Sequence, residues 1–252
     1  MGPLDIAAFG VFLVCWLAYQ PLLGFVSKQR GGVINTDMTV IRAAWMRNMV
    51  GRENRFMDGQ LLGHALNSAS FFASSNLILI AAAAGALFGG EATFRSVSAL
   101  EVIRTSSRFL FEFQLALVLV CLARGLLDFI WSIRQMNYCI ATVGAVPDGL
   151  TTEETEQFGQ ISARLLNPAL SSFNSGIRGY YFAIAAGAWL FGPWAFMAAT
   201  LGSITLLFWR QRRSPAAKAI GDLRRLLEAT PRRAPVPAEP SSSASPLSGN
   251  EP

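Results

Sequence analysis

Apolar residues in this chain gather in long unbroken runs. The first, Ile6 to Val26, has about the ~20 residues a helix needs to cross a bilayer. Trp16 and Tyr19 lie within it, and no Lys or Arg precedes it in the opening Met-Gly-Pro-Leu-Asp. The basic head of a cleavable signal is therefore missing, and the run reads as a retained anchor. A second run covers 61–88 and is rich in small residues from Ala81 to Gly85. The third, 109–133, is interrupted by Glu112, Arg124 and Asp128. The last, 179–209, is too long for one straight crossing: it would span roughly 46 Å against a hydrocarbon core of about 30 Å. Gly192-Pro193-Trp194 lies at its middle, where Pro tends to start a helix rather than continue one.

Basic residues help to decide how that last run is placed. Lys and Arg number six between Ser27 and Asp58, three between Gly89 and Arg108, three between Trp131 and Arg178, and eight from Arg210 onward. With the N-terminus outside, a single last crossing leaves nine inside and eleven outside, whereas a turn at Gly192-Pro193 gives 17 inside and three outside. The positive-inside rule favours the turn, at the cost of two short arms, 179–191 and 193–209. The expected architecture is all-α: a polytopic transmembrane helix bundle of four or five membrane segments (6–26, 61–88, 109–133, 179–191 and 193–209) with interfacial amphipathic helices. The transmembrane domain covers 1–213, a basic juxtamembrane helix 214–230, and a disordered Pro/Ser tail 231–252.

Between the runs, Ile41, Trp45, Met49 and Phe56 recur at helical spacing among Arg42, Arg47, Arg52 and Arg55. That pattern suits either an interfacial helix on an anionic surface or a helical extension packed against neighbouring spans. Thr151 and Glu154 have capping-box spacing after the turn residues Pro147-Asp148-Gly149. Phe158, Ile161 and Leu165 then form an apolar stripe, so a helix is expected to about Asn167, with Pro168 breaking it or starting the next.

Composition fits this reading. Hydrophobic residues make up 52% of the 252, charged residues 15% against the ~25% usual in soluble domains, and the mean hydropathy is +0.37. The net charge of +5 is explained by basic residues flanking the spans, so nucleic acid is not an expected partner. The expected partners are the lipid bilayer and either a protein partner or further copies of the chain. The expected location is a bacterial cytoplasmic (inner) membrane, with the tail cytoplasmic. Cys15, Cys121 and Cys139 form no C-x-x-C pair, and with His64 the one histidine, no metal site or cofactor is expected.

Polar residues at membrane depth are the functional candidates. Gln60, His64, Asn67, Ser68, Ser74 and Ser75 share about a third of the circumference of the second helix, with Phe71 in the same strip. This seam could line a pore or supply hydrogen bonds between helices. Arg124 and Asp128, and likewise Arg108 and Glu112, are i,i+4 neighbours suited to pairing. Gly85 and Gly89 have the spacing of a close helix contact. No Ser-His-Asp order, P-loop, HExxH or paired-carboxylate arrangement can be assembled, so an enzyme is not expected.

Three stretches resemble a known family, the domain-of-unknown-function 599 family of bacterial and plant membrane proteins. The first is Asp128 to Tyr138, with Trp131-Ser132, Arg134-Gln135 and Asn137-Tyr138, continuing to Gly144-Ala145-Val146-Pro147. The second is Arg52, Arg55 and Asp58 leading to Ser70-Phe71-Phe72-Ala73-Ser74. The third is Phe173 to Phe182, containing Asn174 and Arg178, with Pro193-Trp194 after it. The resemblance covers about residues 40–213 and implies a multi-helix membrane protein without an assigned activity. Under the topology above, these clusters converge on the inner leaflet. They are expected to form one buried polar network of Arg52, Arg55, Asp58, Arg134, Gln135, Asn137, Tyr138, Asn174 and Arg178, with Arg134 pairing to Asp58. The functional expectation is an interaction or assembly protein without catalysis. The alternative is an oligomeric channel or small-solute transporter lined by the seam of the second helix.

Overall fold

A computed structural model describes residues 2–30, 33–100 and 107–230, apart from the side chains of 26–30; the tail expected from 231 lies outside them. The described residues are helical and contain no strand. In order they form α1 (Pro3–Arg30), α2 (Ile34–Val50), α3 (Phe56–Phe88), α4 (Gly90–Ser98), α5 (Arg108–Ala145), α6 (Thr152–Gly187), a 3-10 turn (Ala188–Phe191), α7 (Pro193–Arg212) and α8 (Pro215–Ala229). Among the described residues three helices are long and apolar enough to cross a membrane, α1 over Pro3–Phe25, α3, and α5, fewer than the four or five membrane segments expected.

Local chemistry sets the ends. Ser107 starts α5 by accepting the N–H of Leu110 at 3.3 Å. Thr151 and Glu154 form the expected capping box, each side chain taking the other's backbone N–H. Ser214 caps α8 by accepting the N–H of Ala217 at 3.1 Å, with Pro215 in the first turn. Pro168 neither breaks nor starts a helix. It lies inside a continuous α6, where neighbouring Leu166 and Ala169 are fully buried and packing outweighs the roughly 3 kcal/mol an interior Pro costs.

Pairs of contacts fix how the helices run. On α5 and α6, Ser132 Oγ donates to the Ala169 carbonyl and Gln114 Nε2 to the Trp189 carbonyl, so the two are antiparallel. On α1, Asp5 accepts from Trp189 Nε1 at 3.0 Å and Gln20 donates to Ser175 Oγ at 3.2 Å, making α1 antiparallel to α6. On α3, Asn76 donates to the Leu122 carbonyl, while Leu62 packs with Cys139 of α5. The last apolar stretch is a hairpin: the helix ends at Gly187, the 3-10 turn follows, and Gly192 (φ 109°, ψ 167°) reverses the chain before Pro193. Ser203 of α7 then returns to the Tyr181 carbonyl of α6.

Two cores result. One joins α1, α5, α6 and α7 around Phe12, Phe182, Trp189 and Phe196, with Trp189 stacked on Phe196 at 4.6 Å between ring centres. The other joins α2, the start of α3, the end of α5 and the first half of α6 around Met46, Met49, Leu62 and Leu166. α2 therefore packs against its neighbours. It buries Asp37, Arg42, Ala44, Met46, Met49 and Val50 on several sides, which an interfacial helix would not do. Phe56, grouped with α2 by its spacing, is 66% exposed at the start of α3.

Glycines set the closest approaches. A Cβ on Gly176 would sit 2.6 Å from the Phe129 ring, and one on Gly179 3.1 Å from Gly125 Cα, so α5 and α6 touch through backbone. Gly159 meets Arg47 of α2 the same way. Gly85 meets nothing within 4 Å, so no close helix contact is made there among the described residues.

Candidate functional site: three polar groupings

The polar residues singled out from the sequence do not join into one network. The first grouping surrounds Asp58, wholly buried at the start of α3. Its Oδ1 accepts from Trp45 Nε1 at 2.7 Å and from Arg52 at 2.6 Å. Arg55, beside it, donates to the carbonyls of Val146 (2.7 Å) and Pro147 (3.3 Å) and approaches Asp148 at 3.4 Å. These contacts tie the α2–α3 turn to the α5–α6 turn. In the sequence, Trp45 belongs to an apolar stripe at helical spacing. Its indole N–H thirteen residues before an acid carries no sequence signal.

Arg134 does not pair with Asp58. It reaches Tyr138 at 3.3 Å on the exposed side of α5, and Asn137 is exposed there too. The reason is rotational. α5 buries Phe129, Ser132, Met136 and Cys139, which turns 134, 137 and 138 outward. Gln135 does turn inward, and its Oε1 has no hydrogen-bond partner. Asn174 is half-buried.

The second grouping is the α3 seam. α3 buries one stripe, Asp58, Leu62, Ala69, Ala73 and Asn76. At 3.6 residues per turn, Gln60, His64, Asn67, Ser68, Phe71, Ser74 and Ser75 fall on the opposite side. All are exposed except the half-buried Ser75. The seam therefore faces away from the chain's own bundle, and Ser68 returns its hydroxyl hydrogen bond to the His64 carbonyl. Sequence reasoning missed Asn76, one position beyond the seam, which is the amide that holds α3 to α5.

The third grouping is a cleft of about 420 Å³ between α1, α5 and α6, lined by Tyr19, Gln20, Arg124, Asp128, Ser175 and Arg178 on its polar side. Trp16, Leu17, Val120 and Phe182 form its apolar wall. Arg124 pairs with Asp128 at 3.4 Å, the i,i+4 pairing expected from sequence. Arg178 donates to Ser175 Oγ at 2.5 Å and its guanidinium lies 5.8 Å from the Tyr19 ring centre. Arg178 thus belongs here and not beside Arg52 or Arg134. A second cavity, about 430 Å³, shares Gln20 and Arg178 and opens toward Asn35 of α2.

Among the described residues no three His, Cys, Asp or Glu side chains gather as metal ligands. Cys121 and Cys139 are buried free thiols and Cys15 is half-buried. No curated protein and no solved structure matches this chain. A family does match, over residues 7–216, taking in the Asp58 cluster, the α3 seam and the cleft alike: the chain belongs to the family described as Protein of unknown function, DUF599.

Proposed function

We propose that this protein is a non-enzymatic assembly protein of a bacterial cytoplasmic membrane, with its N-terminus outside, and that it docks a partner along the outward face of α3. The observation that carries this reading is the position of the seam opposite the buried stripe of α3. A face that mixes a histidine, two amides and three serines with Phe71, 67% exposed, suits a protein partner better than open lipid or water. Amides and hydroxyls both donate and accept, so the face is complementary to itself. A second copy related by a two-fold axis satisfies Asn67 with Asn67 and Ser74 with Ser74. Charge placement supports the orientation, since the turn at Gly192 lets 17 of the basic residues share one side.

The test is disulfide trapping in native membranes with single cysteines at Asn67, Ser74 and, as a control, Val14 on the exposed side of α1. Covalent dimers at 67 and 74 but not at 14 are expected. Monomers at every position, together with a monomeric mass in lipid discs, would overturn the reading. The channel alternative uses the same face, because the seam can enclose a path only between copies. It additionally requires that Asn67→Leu abolish solute flux, whereas the assembly reading leaves flux at background.

A further inference from the structure

We propose that the cleft between α1, α5 and α6 binds a phosphate group, carried by the head of an anionic lipid, with Arg178 and Arg124 as its cations. The cleft holds two guanidiniums and one carboxylate. Asp128 is engaged by Arg124. Among the described residues Arg178 has no carboxylate within ion-pair distance. Its hydrogen bond goes to the Ser175 hydroxyl, which also accepts from Gln20. Asp128 acts on Arg178 only through space, so a guanidinium at this depth held by a hydroxyl and an aromatic face still lacks a direct anionic partner. The planar fork of Arg suits phosphate oxygens in pairs.

A second observation is independent of charge. Tyr19 is only 3% exposed, lines the cleft, and its hydroxyl has no hydrogen-bond partner. A buried phenol normally finds one. A phosphate oxygen in the cleft would accept from it beside Arg178. The neighbouring cavity, which also reaches Arg178, contains Asn35, whose Oδ1 is buried and unpartnered as well. That leaves room for a polar head group beyond the phosphate.

Depth and shape favour a lipid over free phosphate. Arg124 lies sixteen residues after Arg108, about 24 Å along α5, so it falls close to one edge of a hydrocarbon core of about 30 Å that begins at the start of the helix. The Gln20–Ser175 bond and the Gly125–Gly176 contact bring the polar residues of α1 and α6 to the same level. Phosphates of a leaflet lie at that boundary. Trp16, Leu17, Val120 and Phe182 continue the cleft toward the core as a wall for an acyl chain.

The experiment is native mass spectrometry of the full chain, delipidated in mild detergent and titrated separately with phosphatidylglycerol, phosphatidylcholine and inorganic phosphate. One tightly retained phosphatidylglycerol is expected, with phosphatidylcholine held about tenfold more weakly and no displacement by millimolar phosphate. Displacement by inorganic phosphate would keep the phosphate chemistry and assign its source to soluble phosphate, overturning the lipid. Arg178→Gln should weaken retention about tenfold or more, Arg178→Lys less, and exposed Arg134→Gln not at all. Should Arg178→Gln fail to fold, Tyr19→Phe decides, since it preserves the ring and removes only the hydroxyl; a several-fold loss is expected. Equal retention by wild type, Arg178→Gln and Tyr19→Phe would overturn the site.

Discussion

Trp45 and Asp58 are joined by a 2.7 Å hydrogen bond from the indole N–H to Oδ1, and this bond fixes α2 against the start of α3 across the Arg52–Arg55 turn. Because Asp58 is wholly buried, removing its carboxylate leaves the Trp45 donor unpaired and strands the Arg52 charge. Asp58→Ala should therefore cost about 2–4 kcal/mol. Arg52 is about half exposed, and Arg52→Ala should cost about 1 kcal/mol or less. Thermal unfolding in detergent, followed by Trp fluorescence, checks the ranking. Equal effects of the two substitutions would show that the buried indole bond contributes nothing.

The backbone contact of α5 with α6 predicts opposite outcomes at two glycines. Gly179→Val has no space against Gly125 and should destabilise by about 1–3 kcal/mol or more. Gly85→Ala meets open space inside α3 and should be neutral or stabilising by up to about 1 kcal/mol. Fluorescence-detected gel filtration after heating would separate them. A heat-stable Gly179→Val would refute the contact.

At the hairpin turn, Gly192 holds φ 109° with ψ 167°, a region closed to side chains. Gly192→Ala should cost about 1–3 kcal/mol, whereas Ala188→Gly, in the adjoining 3-10 turn, should cost about 1 kcal/mol or less. Chemical denaturation in mixed micelles measures both.

Much of this architecture could be read in advance, and the exceptions share a cause. Long apolar runs gave α1, α3 and α5 because their signal is additive over twenty residues. Gly192-Pro193 gave the hairpin because a backbone reversal needs those residue types. The rotation of each helix about its axis was another matter. Arg134, Asn137 and Tyr138 belong to a recognisable motif, yet they point outward because Met136 and Cys139 point in. That choice depends on which neighbours are available to pack. The same holds for Arg178, which reaches Ser175 and Tyr19 because α1 lies there. In a membrane helix apolar residues occupy both faces, so a hydrophobic stripe cannot say which side is core.

The cap of α6 supplies a pH dependence. Glu154 is held below its ordinary carboxyl range, first by the Thr151 backbone N–H and then by the Thr151 hydroxyl. A carboxyl lowered on folding stabilises the folded form above its unfolded pKa, and that contribution fades as pH falls through the lowered value. Protection of the first-turn amides of α6 against hydrogen exchange, relative to their intrinsic rates, should therefore fall as pH drops below the ordinary Glu range. Glu154→Gln should flatten that dependence. A wild-type profile unchanged down to pH 3 would count against the cap.

Between α8 and the start of α2, Arg224 donates to Asp37 at 2.7 Å, and Asp37 is 2% exposed. This bond is the first cause of a raised Arg224 pKa, followed by its bond to Glu228. Arg224→Ala should release α8, so that trypsin cuts at Lys218 or Arg225 in folded protein at least several-fold faster than in wild type. Unchanged cleavage would show that apolar contacts alone hold α8 in place.

The length of α5 has a mechanical consequence. Its 38 residues extend about 57 Å, nearly twice the thickness of a bilayer's interior. Antiparallel α6 is packed backbone to backbone against it at Gly125, Gly176 and Gly179, so the pair should lean as a single strut. A change in bilayer thickness that leans this strut by about 10° would swing its far end by about 10 Å. The Asp58 cluster and the turn held by Arg55 ride at that end. A small adjustment among the lipids is thus converted into a large displacement at the far end of the strut.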